Sequence, residues 1–144
     1  MLVQQILNSK ADTGVMTVRP DMSVSEVVAL LSEKRIGAVV VSANGETADG
    51  ILSERDIVRE IGRRGAVCMS ETAGDMMTKK LVTCNVRDDA NEVLEMMTNG
   101  RFRHLPVVEG EKMVGLISIG DVVKARLAEL SMEKTALEGM IMGH

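Results

Sequence analysis

Two serine–aspartate pairs have the spacing most suggestive of chemistry. Ser53 and Asp56 stand in GILSERDIV at 50–58, and Ser118 and Asp121 stand in GLISIGDVV at 115–123. Each stretch reads glycine, two aliphatics, serine, two variable residues, aspartate, two aliphatics. Serine at a helix start accepts a hydrogen bond from an unpaired backbone N–H. An acid three residues later can close the reciprocal bond of a capping box. Such boxes favour Glu or Gln, whose longer side chain reaches back, so Asp in both copies predicts a further duty. A helix N-terminus also offers N–H groups and partial positive charge to a phosphate. A short carboxylate beside it can accept from two vicinal hydroxyls. Together these groups describe a ribonucleotide site, with the division of labour that the Rossmann fold reaches through another motif.

Basic residues stand close by. Arg101-Phe102-Arg103-His104 runs into the apolar stretch Leu105–Val108, and Lys34-Arg35 runs into Ile36–Val41. Arginine suits bidentate phosphate contact, while a solvated charge run is the plainer account of any single arginine here. His104 taken alone reads as a packed or surface histidine.

An internal duplication must position these groups. A shift of 66 residues lays Thr17 on Thr83, Glu26 on Glu92, Val27 on Val93, Arg35 on Arg101 and Val41 on Val107. After a one-residue gap, Gly50, Ser53 and Asp56 meet Gly115, Ser118 and Asp121. Val24, Val27, Val28 and Leu31 mark one face of a helix, as do Ala90, Val93, Leu94 and Met97. Two apolar runs across a polar turn (SANGE, EGEK) then predict a β-hairpin in each copy. Each copy therefore reads strand, helix, strand, strand, helix. VQQIL precedes the first and AGDMM the second. A single copy is too small to bury a stable core, whereas two packed sheet against sheet suffice.

Residues 1–64 are assigned to the first repeat with an N-terminal helix, 65–130 to the connector and second repeat, and 131–144 to a helical tail. In the tail Leu127, Leu130, Leu137 and Ile141 fit a/d positions of a heptad broken by Lys134. That helix either docks on its own domain or packs against a partner subunit.

Composition excludes several classes. The chain has 144 residues, 45% of them hydrophobic, and a formal net charge of −4. One Phe and no Trp or Tyr, with that charge, argue against a nucleic-acid surface. No apolar run is long enough to span a membrane, and MLVQQILNSK lacks the pattern of a signal peptide. Two cysteines form no disulfide framework, so a cytoplasmic location is expected. Cys68, Cys84, His104 and His144 lack zinc-site spacing. There is no Walker A loop, G-x-G-x-x-G or nucleophile elbow, and Cys84 has no assignable base. No catalysis is expected, and no catalytic cofactor or metal.

The duplicated T-x-x-x…E-V…R-I/F…V-V…G-I/L-x-S-x-x-D pattern resembles paired cystathionine β-synthase (CBS) domains, the arrangement called a Bateman module. RFRHLPVVEGEKMVGLISIGDVVKARL and GILSERDIVREI are especially similar to small two-repeat members, and the likeness covers essentially the whole chain. The resemblance implies an α/β fold of two β-α-β-β-α repeats around a pseudo-twofold axis, with two clefts and a homodimeric, disc-like assembly. It also implies an adenosine ligand of the AMP, ADP, ATP, NAD or S-adenosylmethionine kind.

Carried over, it gives Asp56 and Asp121 to ribose hydroxyls, and Ser53 and Ser118 to ribose or phosphate. Thr17-Val18 and Thr83-Cys84 would border adenine. Gly37-Ala38 and Arg103-His104 would line the clefts, and Arg35, Arg101 and Arg103 would meet phosphate. Each cleft would join the first-strand side of one repeat to the Ser-x-x-Asp of the other. Copy one has IGAVVV where the family pattern carries the proline kept as Pro106, and copy two has TCNV in place of TVRP. The two clefts are therefore chemically unequal. The function expected is a regulatory module sensing energy or cofactor status. The alternative is a nucleotide-independent interaction module for an unidentified enzyme or transporter.

Overall fold

The computed structural model describes residues 1–10 and 15–141, so His144 lies outside the described residues. The elements follow in order: α1 (Val3–Ser9), β1 (Thr17–Val18), α2 (Val24–Lys34), β2 (Ala38–Val41), β3 (Gly50–Ser53) and α3 (Glu54–Arg64). A 3₁₀ turn (Ala66–Ser70) leads to α4 (Ala73–Met76), β4 (Cys84–Asn85) and α5 (Ala90–Gly100). The chain ends with β5 (His104–Glu109), β6 (Lys112–Ser118) and α6 (Ile119–Ile141). β4 begins at Cys84, so Thr83 stands just outside the strand that the repeat pattern gives it.

The two sheets have the same topology. β1 lies parallel to β2 and β2 antiparallel to β3, and β4, β5 and β6 repeat that order. In each repeat an amphipathic helix covers the sheet. Val24, Val27 and Leu31 of α2 join Val39, Val41 and Leu52 in one core, while Val93 and Met97 of α5 join Leu105, Val107 and Ile117 in another. The opposite faces meet over Ala38, Val40 and Ile51 from the first sheet and Met113 and Leu116 from the second. The expected sheet-to-sheet packing is therefore present, with short aliphatic and Met side chains at the join.

The leading helices cross over. Val3 and Ile6 of α1 are buried in the core of the second repeat, and Ala73 of α4 is buried in the core of the first. Matching backbone bonds tie them down. The Val3 and Gln4 N–H groups donate to the carbonyls of Asp88 (2.9 Å) and Val86 (2.9 Å), and Ala90 N–H to Met1 (2.8 Å). The Ala73 and Gly74 N–H groups donate to Met22 (2.7 Å) and Pro20 (2.9 Å), and Val24 N–H to Glu71 (2.8 Å). Chain order and packing order thus differ for both short helices.

This crossing accounts for the repeated glycine of the opening motifs. A Cβ at Gly115 would lie 2.7 Å from Leu7 Cδ2, and one at Gly50 would collide with the Met77 side chain. Each glycine clears a seat on its strand for the visiting segment. Arg35 and Arg101, at equivalent places, both end a helix in the left-handed region at φ 54° and 57°. That conformation suits glycine at a helix end and costs arginine about 1 kcal/mol or more.

Gly115→Ala is expected to destabilise the protein by about 1–3 kcal/mol through overpacking against Leu7. Leu7→Ala in the same chain should recover part of that loss in a urea-melt double-mutant cycle. Strict additivity would show that α1 does not press on β6.

Candidate functional site

The serine–aspartate pairs sit where a strand turns directly into a helix, at β3–α3 and β6–α6. At the first, the Ser53 N–H and Oγ–H both donate to Asp56 Oδ2 (3.1 and 2.8 Å), and the Asp56 N–H donates to Ser53 Oγ (3.2 Å). At the second, the Ser118 N–H donates to Asp121 Oδ2 (2.9 Å) and the Asp121 N–H to Ser118 Oγ (3.1 Å). Both aspartates therefore complete capping boxes, although such boxes favour the longer Glu or Gln. Ser53 is extended at φ −107° and ψ 160°, and this brings its N–H within range of an Asp. The cap uses one oxygen of Asp56. The other accepts from Arg59 Nη2 at 2.9 Å, a guanidinium on the exposed side of α3.

A cleft of about 1100 Å³ opens beside the first pair. Ser53 and Asp56 line it, as do Thr78, Lys80, Leu81 and Val82 on the approach to β4. The turn from α5 into β5 supplies Arg101, Phe102, Arg103 and His104, and Ser118 closes one end with Gly120. Gly37 completes the floor. Five cations (Arg55, Arg59, Lys80, Arg101 and Arg103) face two acids, Glu54 and Asp56. In a chain of net charge −4, that local excess focuses positive potential on the cleft.

His104 lies against Gly37, where a Cβ would stand 3.5 Å from its Cε1 and Nε2. Burial lowers its pKa, Asp121 and Glu54 pull it up, and Lys10 and Arg103 push it further down. The net direction is downward, so the ring is neutral at pH 7.

The second pair has a different neighbour. Lys10 Nζ donates to Asp121 Oδ2 at 2.9 Å and to the Leu116 carbonyl at 2.8 Å. Burial pushes the Asp121 pKa up, but the Ser118 N–H and the Lys10 ammonium outweigh it and hold the carboxyl below its ordinary value.

Seven of the residues singled out from sequence line the open cleft: Gly37, Ser53, Asp56, Arg101, Arg103, His104 and Ser118. The other seven lie elsewhere. Asp121 is held by Lys10. Val18 is in the first core, Ala38 between the sheets and Cys84 in the second core. Burial, reinforced by Asp88, pushes the Cys84 thiol up to about 12, so it is no nucleophile. Thr17 is half-buried, while Thr83 and Arg35 are exposed. Sequence reasoning passed over Arg55, Arg59 and Lys80. The Lys79-Lys80 pair in the connector and the period of α3 were the available signals. Lys10 gave none, because its partner is 111 residues away. Among the described residues no cluster of three or more His, Cys, Asp or Glu is placed to hold a metal, and no helix is long and apolar enough to cross a membrane.

Comparisons with known proteins agree with this architecture. The family model "CBS domain" matches residues 3–63 and 73–128. The mitochondrial CBS domain-containing protein CBSX3 of Arabidopsis thaliana is 34% identical over 98% of this chain and 72% of its own. The crystal structure of a CBS-domain containing protein from Agrobacterium tumefaciens superposes with a TM-score of 0.83 at 41% identity, over 88% of this chain and 99% of that one. The CBS domain pair of protein MJ0100, solved with 5-methylthioadenosine and S-adenosyl-L-methionine, matches at a TM-score of 0.77 and 19% identity, over 90% and 98% of the chains.

Asp121 with its lowered pKa contributes stability that is full above the ordinary carboxylate range, about pH 4, and is lost as pH falls through the depressed folded value. In Lys10→Met burial meets less opposition, so the Asp121 pKa should rise and the acid loss begin at higher pH. Carboxyl NMR titration of both proteins checks this. An unmoved Asp121 would remove Lys10 as its partner.

Proposed function

The chain belongs to the CBS domain family, and from that premise we propose that it is a non-catalytic regulatory module binding an adenine nucleotide in the cleft beside Asp56. The observation that carries this reading is the pairing of a helix-start carboxylate with five cationic side chains in one cleft of a net-anionic chain. Adenosine as the common moiety is supported by the two ligands of the MJ0100 pair. Neither of those ligands carries a phosphate. The cation excess here favours the AMP, ADP, ATP or NAD class instead.

In this reading the Asp56 carboxylate accepts from the ribose hydroxyls once the exposed Arg59 side chain swings off it. Arg101, Arg103 and Lys80 take the phosphate, and Ile51, Leu81 and Val82 wall the base. No step of bond making or breaking is assigned to any residue. Thr83 and Cys84, on the first-strand side of the second repeat, would border this first cleft, while Thr17, Val18, Arg35, Ala38 and Asp121 would belong to the second. There Lys10 already satisfies Asp121, so one ligand per chain is proposed. The regulated process would be read through occupancy of the first cleft, and a homodimer is the proposed assembly.

A nucleotide-independent interaction module is the second reading. Val58 and Val67, about 70% exposed on and just after α3 (68% and 71%), support a protein-facing surface.

Mass spectrometry of the native protein should find one co-purified adenine nucleotide per chain. Calorimetry with AMP, ADP, ATP and NAD should then give a stoichiometry near one. Asp56→Ala should weaken the preferred ligand by roughly 10- to 100-fold, the worth of hydrogen bonds to a charged acceptor. Lys10→Ala should raise the stoichiometry toward two. Tight binding untouched by Asp56→Ala would sink the site, and no heat with any of the four would select the interaction module.

Arg101→Gly separates the two duties of that position. Relief of the left-handed conformation should raise unfolding stability by up to about 1 kcal/mol, while nucleotide affinity falls. Lower stability with unchanged affinity would contradict both roles.

A further inference from the structure

The turn SANGE between β2 and β3 takes no part in the cleft. It holds one of the two Asn-Gly steps in the chain, Asn44-Gly45; the other is Asn99-Gly100. Glycine after asparagine exposes the side-chain amide to the next backbone nitrogen, because no side chain hinders closure of a five-membered ring. The fold treats the two steps differently. Asn99 and Gly100 lie inside α5, where the Gly100 N–H belongs to the helix ladder. Asn44 and Gly45 are exposed, and Gly45 has φ 77° with open space where a Cβ would stand.

Around Asn44 the turn converges its donors on one atom. The N–H groups of Glu46 and Thr47 donate to Asn44 Oδ1 (2.8 and 2.9 Å). The hydroxyls of Ser42 and Thr47 donate to the same oxygen, both at 3.2 Å. Backbone N–H groups only donate, so they fix which atom of the side-chain amide is the oxygen. A neutral amide oxygen offers two lone pairs to these four donors, and an oxyanion formed there would hold them better. Ser42 is buried and makes a second contact, because the Gly45 N–H donates to its Oγ at 2.9 Å. One hydroxyl thus joins the nitrogen that must shed a proton to the oxygen that must gain one.

We propose that Asn44 is a self-modification site, deamidated by attack of the Gly45 nitrogen with Ser42 as proton relay. The N–Cγ bond forms as the Gly45 proton passes to Ser42 Oγ and the Ser42 proton passes to Asn44 Oδ1. The hydroxyl of this adduct then gives its proton to Nδ2. The Cγ–Nδ2 bond breaks, ammonia departs, and a cyclic imide remains. Water opens the ring from either side, and no oxidant or reductant is needed. Addition at Cγ leaves aspartate. Addition at the Asn44 main-chain carbonyl leaves isoaspartate, whose backbone is one carbon longer. Either product adds a negative charge to a chain of net charge −4. Isoaspartate also displaces Glu46, whose carbonyl accepts the Met113 N–H at 2.9 Å from the other sheet. The second repeat turns through Gly110-Glu111 and has no asparagine there.

Incubation of the full chain at mildly alkaline pH, with peptide mapping by mass spectrometry, tests the site. In the folded chain Asn44 should convert well ahead of Asn99, and faster than it does in the urea-unfolded chain. Unfolded, the two Asn-Gly steps should convert alike. Ser42→Ala should slow the folded reaction by about 100-fold, the low end of what a positioned proton-transfer group contributes, and leave the unfolded rate unchanged. Thr47→Val keeps both backbone donors and should slow the folded reaction several-fold, so it carries the test should Ser42→Ala loosen the turn. As isoaspartate accumulates, hydrogen exchange of the Met113 amide should quicken. Slower conversion of Asn44 folded than unfolded, or a folded rate untouched by both substitutions, would overturn the proposal.

Discussion

The crossing of α1 onto the second sheet and of α4 onto the first is the contact on which the rest of the molecule depends. Each sheet has three strands, one long covering helix and a single buried side chain from the helix that follows the hairpin, Ile57 or Val122, too little to finish a core. The visiting helices supply the remaining apolar cover. Val3 and Ile6, fully buried, are each worth about 1.5–3 kcal/mol of transfer energy. Because each visitor presses on the glycine three residues before a capping serine, it also sets the height of that stretch of strand. The strand in turn fixes where the helix start, and hence the carboxylate, meets the cleft. Packing and site are thus one constraint, seen from the two ends of the same short stretch from glycine to serine.

Duplication supplies two equivalent frames, and a few side chains make them unequal. The first helix start has an exposed arginine on its aspartate, and the second has a half-buried lysine bound at once to a carboxylate and a backbone carbonyl. An exposed ion pair is worth little and is readily exchanged for a ligand. A half-buried ammonium with two acceptors is costlier to displace. His104 stands near both, its pKa lowered chiefly by burial while acids and bases from both repeats act on it in opposite directions. The first aspartate therefore faces a cleft with its ion pair exposed, while the second is engaged by a half-buried cation of the chain's own.

Much of this was legible in the sequence, and the limits have physical causes. The repeat, the covering helices and the hairpins followed from period and turn residues, because each is local. The capping role of Asp56 and Asp121 was underrated: side-chain length was weighed without the extended backbone of the cap residue, which brings the N–H within reach. The seats of Leu7 and Met77 were invisible, since a glycine in a strand does not say what presses on it. Lys10 on Asp121 was equally unreadable across 111 residues. For the tail, periodicity found the stripe, and only the fold shows that Leu127, Leu137 and Ile141 stay exposed on it.

The helix exchange also dictates the order of events when the chain folds. The first 64 residues leave synthesis with a helix that has no seat yet and a sheet whose glycine has no occupant. α1 must wait for strands that emerge some 80 residues later, and the first sheet must wait for α4. Neither repeat can lock before the connector has appeared, so folding is postponed to the whole chain and is governed by long-range closure. Severed between the repeats, the polypeptide would yield two fragments each holding the helix that the other lacks. They are complementary pieces rather than domains.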